Sequence, residues 1–364
     1  MKVLQVINSL GTGGAEKLII ESLPVYMEKG IQIELLLLDS RETPFLKQLK
    51  TNSNCKIHSI GEGSVYNPKY ILKIIPFLKK FDLVHVHLFP ALYWVGIAKI
   101  LSFSKVKLIF TEHNTSNKRR NLWIFKFFDR IIYSVYDKIV TIANEVDRNL
   151  RQHLKWNTSK FELIENGINL LSYRNAIPLS KTEFFEKDDT ILIQVSSFRA
   201  QKDQPTLIRA LKLLPENFKL LLVGEGPLKE ENEQLVEKHG LSSRVKFCGI
   251  REDVPSLLKT ADLVILSSHY EGLSLSSIEG MASGKPFLAS DVPGLTEVVK
   301  GAGILFPEGD EQSLANELLK LSEDPEFYKK IASSGLKRSQ KFDIGIMVDK
   351  YINLYYRILN SNPQ

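Results

Sequence analysis

The chain has 364 residues, 43% of them apolar and 25% charged. That is enough for two domains with cores of their own, and it excludes a disordered or collagen-like chain. The formal charge of +6 is uneven: residues 1–180 carry 25 basic and 15 acidic side chains (+10), residues 181–364 carry 23 and 27 (−4). One half is therefore expected to meet an anionic surface or acceptor; with no nucleic-acid motif in the sequence, nucleic acid is not the expected partner.

In chain order, "MKVLQVINS" reads as a buried first strand rather than a signal peptide. A helical pattern, "GTGGAEKLIIESLPVYMEKG", follows, then the apolar run "IQIELLLLDS". "FDLVHVHL", a helix near Ala91–Leu101, "VKLIFTEHN" and "DKIVTIAN" continue the alternation. Near-continuous Val/Ile/Leu runs separated by helices predict a parallel sheet covered on both faces. The stretch "LFPALYWVGIAKIL" is interrupted by Lys99 and is too short to span a bilayer. Periodicity lapses over Ile168–Thr182, the expected linker. The pattern then restarts with "TILIQVSSF", a helix near Gln204–Leu214, "FKLLLVGEG", a helix near Leu228–His239, "VKFCG", "ADLVILSS" and "KPFLAS". "FDIGIMVDKYINLYYRIL" closes the chain as an amphipathic helix. The expectation is two Rossmann-like units in series, 1–172 with a terminal helix 343–364, and 173–342. Cys55 and Cys248, far apart and without a CxxC or metal-ligand spacing, argue against a disulfide framework and for a reducing, cytoplasmic setting.

Ligands of such sheets bind beyond the carboxyl ends of the strands, so the loops there carry the candidates. Gly11-Thr12-Gly13-Gly14 opens a helix, where glycines admit close approach and free amides favour a phosphate. With Glu16 in the last glycine place it is not a full GxGxxG, and it equally serves as a tight turn. "GMASGKP" is not a P-loop, because a proline stands where a magnesium-binding hydroxyl belongs. In "SSFRAQKDQP", Arg199 and Lys202 lie three apart before a helix and could clamp a diphosphate, or could be solvated loop charges. In "YEGLSLSSIEGMASGKP", Glu271 sits before a helix running from Ser274 to Gly284 and Glu279 on its second turn. Two carboxylates beside the amides of Gly272, Leu273 and Ser274 suit sugar hydroxyls, although acids near a helix start are also simple dipole partners. His85, His87 and His113 admit a zinc triad, a cleft lining or core hydrogen bonding. "KRRNLWIFKFFDR", Lys118 to Arg130, fits either an interfacial helix or a core helix with a charged outer face.

Glu271 and Glu279 fit E-x7-E. Around them, in order, stand the Gly-Gly turn, "TEHN", "IENGIN", "SSFRAQKDQPTLIRAL", "LLVGEGPLKEE", "VKFCGIREDVPSLLKTADLVILSS" and "GKPFLASDVPGLTEVV". The set resembles the retaining glycosyltransferases of family four, densely over residues 190–300 and sparsely through the first half. The resemblance implies a GT-B fold: two Rossmann-like parallel-sheet domains facing across a cleft, acceptor-binding first and nucleotide-sugar-binding second, with the C-terminal helix crossing back to the first. It implies transfer of a hexosyl unit from a nucleotide sugar, UDP-linked in preference to GDP-mannose, onto a lipid-linked or surface polysaccharide acceptor, at the cytoplasmic face of the membrane with peripheral contact. No divalent metal and no cofactor are expected, and the sequence contains no D-x-D. By the same resemblance Arg199 and Lys202 hold the donor diphosphate, with Gly13 and Gly14 meeting the phosphates. Glu279 holds the ribose. Glu271 with Gly272, Leu273 and Ser274 holds the donor sugar. Ile250 and Arg251 flank the base, His113 sits at the transferred sugar, and His87 lies towards the acceptor. The chain departs from the family at Ser196-Ser197, where many members have Gly-Arg; Arg199 is offset from that arginine by two places. Two rivals remain at this level: an NAD(P)-dependent oxidoreductase with Asp39 on the ribose, and a two-domain sugar-binding protein without turnover.

Overall fold

The computed structural model describes residues 1–11, 13–114 and 122–361. It divides into two compact units, one of Met1–Gly167 with Ile344–Gln364, the other of Ile168–Asp343.

The first unit is a seven-stranded, wholly parallel sheet: β1 (Lys2–Ile7), β2 (Gln32–Leu37), β3 (Lys56–Ser59), β4 (Leu83–His87), β5 (Lys107–Glu112), β6 (Lys138–Thr141) and β7 (Phe161–Leu163), in the order β3-β2-β1-β4-β5-β6-β7. Successive residues of a strand point to opposite faces, and here both faces are apolar. Val3, Ile7, Leu35 and Leu83 join one buried cluster with Leu18, Leu23 and Tyr26 of the helix Gly14–Glu28. Leu4, Val6, Val84 and Leu108 join another with Ile74, Leu92, Val95 and Tyr136. The last helix, Ile344–Asn360, belongs to this unit. It lays Val348, Tyr351, Leu354, Tyr355 and Ile358 into the first cluster, at the three-to-four spacing that lines one helix face.

The second unit is a six-stranded parallel sheet: β8 (Thr190–Val195), β9 (Phe218–Val223), β10 (Val245–Gly249), β11 (Leu263–Leu266), β12 (Phe287–Ser290) and β13 (Ile304–Phe306), in the order β10-β9-β8-β11-β12-β13. Each sheet starts from an inner strand, grows to one side and then switches. The reversal falls between β1 and β4 in the first unit and between β8 and β11 in the second, and at such a point the loops diverge and leave a crevice.

The expected linker is partly ordered. Asn169 accepts a hydrogen bond from the Ser172 amide and caps a short helix, Leu170–Asn175, that buries Tyr173. This helix has a single buried residue, which explains the missing periodicity.

Candidate functional site

In the second unit, the loops after β8 and β11 meet. Gln194, buried on β8, donates its amide to Ser196 Oγ (3.1 Å) and to the Lys202 carbonyl (2.9 Å), and accepts from Ser267 Oγ (2.9 Å). Gln204 adds a second amide hydrogen to Ser196 Oγ (3.0 Å) and one to the Ser197 carbonyl (3.0 Å). The chain then passes through a turn of 3-10 helix, Ala200–Lys202, and a left-handed Asp203 that caps the helix Gln204–Lys212. These bonds fix the Lys202 backbone. Its side chain reaches Glu271 after β11, with Nζ donating to Oε1 at 2.5 Å; the two side chains are 16% and 7% exposed. Ser268 donates to the same oxygen at 2.6 Å, and Ser290 donates to the Ser268 carbonyl.

Arg199 is not part of this cluster. It is exposed, and among the described residues its side chain makes no hydrogen bond or ion pair. Lys202 is thus the cation seated at the switch point.

Gly294 shapes the Glu271 loop from beneath. It has φ +84°, and a Cβ there would lie 2.1 Å from the Glu271 carbonyl oxygen and 2.3 Å from that of Gly272. Glu271 N donates to Pro293 O at 3.2 Å. Leu273 and Ser274 are buried, and Ser274 precedes the helix Leu275–Ala282, on which Glu279 is 4% exposed. At the end of β10, Ile250 is exposed, and Arg251 is held by Asp253 through a two-pronged pair (2.8 and 2.6 Å).

In the first unit, Gly13 is the residue before the helix Gly14–Glu28 and has an ordinary φ of −91°. The Glu16 carboxylate folds back over it, so that a Cβ at Gly13 would meet its Oε2; burial raises the Glu16 carboxyl above its usual range. Thr12 and Lys118–Asn121 lie outside the described residues, as does the Trp123 side chain. His87, at the end of β4, and His113, just past β5, are joined at 3.0 Å between Nδ1 and Nε2. Burial pushes His85 and His87 well below the ordinary histidine range, and His113 down to about 4, so all three rings are neutral near pH 7. Both nitrogens of His85 and of His87 are hydrogen-bonded to protein side chains. Among the described residues no group of three His, Cys, Asp or Glu is arranged to hold a metal ion. Asp39 is engaged by the Arg41 guanidinium (2.7 Å) and the Gly63 amide (3.0 Å).

Sequence reasoning named Lys202, Glu271 and Glu279 but missed Gln194, Ser268 and Gly294, which hold Lys202 and Glu271. Gly294 stands in "DVPGLTEVV", where a glycine after a proline was a turn signal.

Residues 12–170 match the family model described as Glycosyltransferase Family 4, and residues 178–338 match that described as Glycosyl transferases group 1. The putative glycosyltransferase EpsD of Bacillus subtilis is 28% identical over 273 residues, 71% of each chain. The N-acetylgalactosamine-N,N'-diacetylbacillosaminyl-diphospho-undecaprenol 4-alpha-N-acetylgalactosaminyltransferase of Campylobacter jejuni is 25% identical over 357 residues, 93% of this chain and 94% of that one. Among solved structures, Anabaena HepE in complex with UDP-glucose superposes with a TM-score of 0.84 at 22% identity, covering 98% of this chain and 100% of that one. The lipopolysaccharide glycosyltransferase WaaG superposes at 0.73 and 18%, covering 97% and 99%. The oxidoreductase and the non-catalytic sugar-binding readings fall away. The two family models, one on each parallel-sheet unit, establish that the chain belongs to the family-four glycosyltransferases of GT-B fold.

Proposed function

We propose that the protein transfers a hexosyl unit from a UDP-sugar to a lipid-linked or surface-polysaccharide acceptor, with retention of anomeric configuration and without a divalent metal. The observation that carries this reading is the Lys202–Glu271 pair at the switch point of the second sheet. As the bond between the sugar and the diphosphate breaks, negative charge grows on the departing phosphate; a fixed ammonium there stabilises the transition state more than the ground state. Glu271 Oε1 already accepts two hydrogen bonds, which suits a carboxylate that orients the donor sugar rather than one that attacks it. The acceptor hydroxyl then adds on the face the phosphate leaves, and its proton passes to that phosphate. Glu279 binds the ribose and Gly13 and Gly14 the phosphates. Ile250 and Arg251 flank the base, Gly272, Leu273 and Ser274 join Glu271 around the sugar, and His87 and His113 face the acceptor and the transferred sugar. Arg199, exposed and unpaired among the described residues, joins Lys202 on the diphosphate only once donor is bound. The UDP in the Anabaena complexes and the UDP-galactose named for an Escherichia coli relative acting on a diphosphoundecaprenol support the donor class.

The test is turnover of UDP-sugars with a polyprenyl-diphosphate saccharide in excess EDTA. Release of UDP with an axial donor linkage kept axial in the product, read from the anomeric proton coupling, is the expected result. An inverted product, or activity that EDTA removes and magnesium restores, overturns it.

The membrane setting has an observation of its own. On the helix Trp123–Ser134, Ile124, Phe127, Phe128 and Ile131 are all exposed, with Leu122 just before it; the spacing of these four puts them on one side. No described helix is long and apolar enough to cross a membrane. The proposal is that this side rests in the interface of an anionic leaflet. Sedimentation with phosphatidylglycerol vesicles is expected to carry down the wild type, and Phe127→Glu/Phe128→Glu to weaken binding by roughly tenfold or more while turnover on a soluble acceptor stays unchanged. Equal sedimentation of the two proteins overturns the proposal.

A further inference from the structure

A chain of buried polar side chains runs from the last helix to His113, and the family reading above uses only its end. Tyr355 Oη lies 2.7 Å from His85 Nδ1, and Thr111 Oγ1 lies 2.7 Å from His85 Nε2. Thr111 is in turn 3.1 Å from the Tyr351 hydroxyl. The Tyr355 hydroxyl also faces that of Tyr26 at 3.3 Å; its one proton goes to the shorter contact, and because a phenol gives up its proton more readily than a neutral imidazole, Tyr355 donates to Nδ1. The ring, neutral in its burial, keeps its proton on Nε2 and donates it to Thr111. Gln5 meets the Tyr355 oxygen and His85 Nδ1, both at 3.3 Å. Both present lone pairs, which turns the Gln5 amide nitrogen towards them and its Oε1 towards His87 Nε2 at 2.6 Å. His87 Nε2 is therefore a donor, its Nδ1 an acceptor, and the proton between the two rings at 3.0 Å comes from His113 Nε2. Among the described residues nothing is hydrogen-bonded to His113 Nδ1, and His113 is only partly buried.

We propose that Gln5 and His87 are positioning residues that hold His113 in a single tautomer, with the Nε2 proton committed to His87 and Nδ1 presented as a hydrogen-bond acceptor to a hydroxyl of the sugar being transferred. The acceptor role rests on the reading that places His113 at that sugar; the tautomer does not. In this arrangement His113 orients a hydroxyl and has no proton to give the departing oxygen. The last helix, through Tyr355, selects the state of a ring near the opposite end of the hydrogen-bonded chain.

The chain has seven histidines, few enough for histidine-selective nitrogen-15 labelling and two-bond proton–nitrogen correlation at pH 7, with assignment by His113→Gln and His87→Gln. The wild-type spectrum should show His113 protonated at Nε2 only. A proton on Nδ1, on both nitrogens, or exchanging between them overturns the proposal without any variant having to fold. Gln5→Met removes the acceptor for His87 and should leave His113 a mixture of tautomers. It should lower kcat about tenfold with donor KM and UDP-induced thermal shift kept. An unchanged His113 tautomer in Gln5→Met sinks the role of Gln5. If the spectra come out as expected but His113→Ala keeps wild-type turnover, the placement of His113 at the sugar fails, and the acceptor role with it.

Discussion

Lys202→Ala is expected to lower kcat/KM for sugar transfer by about 10²–10³, the scale of losing one fixed charge-stabilising group from a transition state. The same change should cost roughly 2–3 kcal/mol of stability, because it strands the Glu271 carboxylate, 7% exposed, with the Ser268 hydroxyl as its remaining side-chain donor among the described residues. The two losses separate in the double variant Lys202→Ala/Glu271→Gln. Removing the stranded charge should recover most of the stability in a urea melt, because an amide in that place has no net charge to leave unpaired. Turnover should not recover, since the cation facing the leaving phosphate is still missing. If the double variant regains activity along with stability, Lys202 is a structural ion-pair partner and the assignment of the diphosphate site is wrong.

Gly294→Ala is expected to be more damaging to the fold of the second unit than its size suggests, by on the order of 3–5 kcal/mol, with transfer abolished in whatever protein folds. Two terms contribute. At φ +84° an L-residue costs about 1–2 kcal/mol. The added methyl would also lie against the carbonyl oxygens of Glu271 and Gly272, neither of which is the yielding end of a side chain. Gly301 supplies the comparison. Its φ is +76°, but a Cβ there meets nothing within 4 Å, so Gly301→Ala should show the conformational term alone, about 1 kcal/mol. Equal melting midpoints for the two variants would mean that the 271–272 loop yields freely and that Gly294 does not shape it.

The inner strands were legible because burial on both faces forces long apolar runs: "KVLQVI", "QIELLL", "TILIQV" and "FKLLLV" all became strands. The three strands not anticipated, β3, β7 and β13, are all at sheet edges and only three or four residues long. One partner and partial exposure leave an edge strand such as "KIHS" or "FEL" with little pattern to read. The candidate site divides in the same way. Glu271 and Glu279 are close in sequence, so their spacing on either side of a helix start was visible. The contact of Lys202 with Glu271 joins positions 69 apart, and that of Gln5 with Tyr355 joins positions 350 apart; neither leaves a trace in local periodicity. Nor did spacing distinguish Arg199 from Lys202, because burial decides between them.

The helix Ile344–Asn360 supplies seven buried side chains to a core otherwise built from residues Val3 to Ile164. A polypeptide leaving the ribosome must therefore hold its first sheet with part of one apolar face uncovered while the whole of Ile168–Asp343 is synthesised and folds. The carboxyl-terminal unit is continuous and can finish first, even though it is translated later. Truncation just before Ile344 would thus spare the lobe nearest the lesion and expose the one most distant from it in sequence, making that lobe the natural substrate for chaperones during translation.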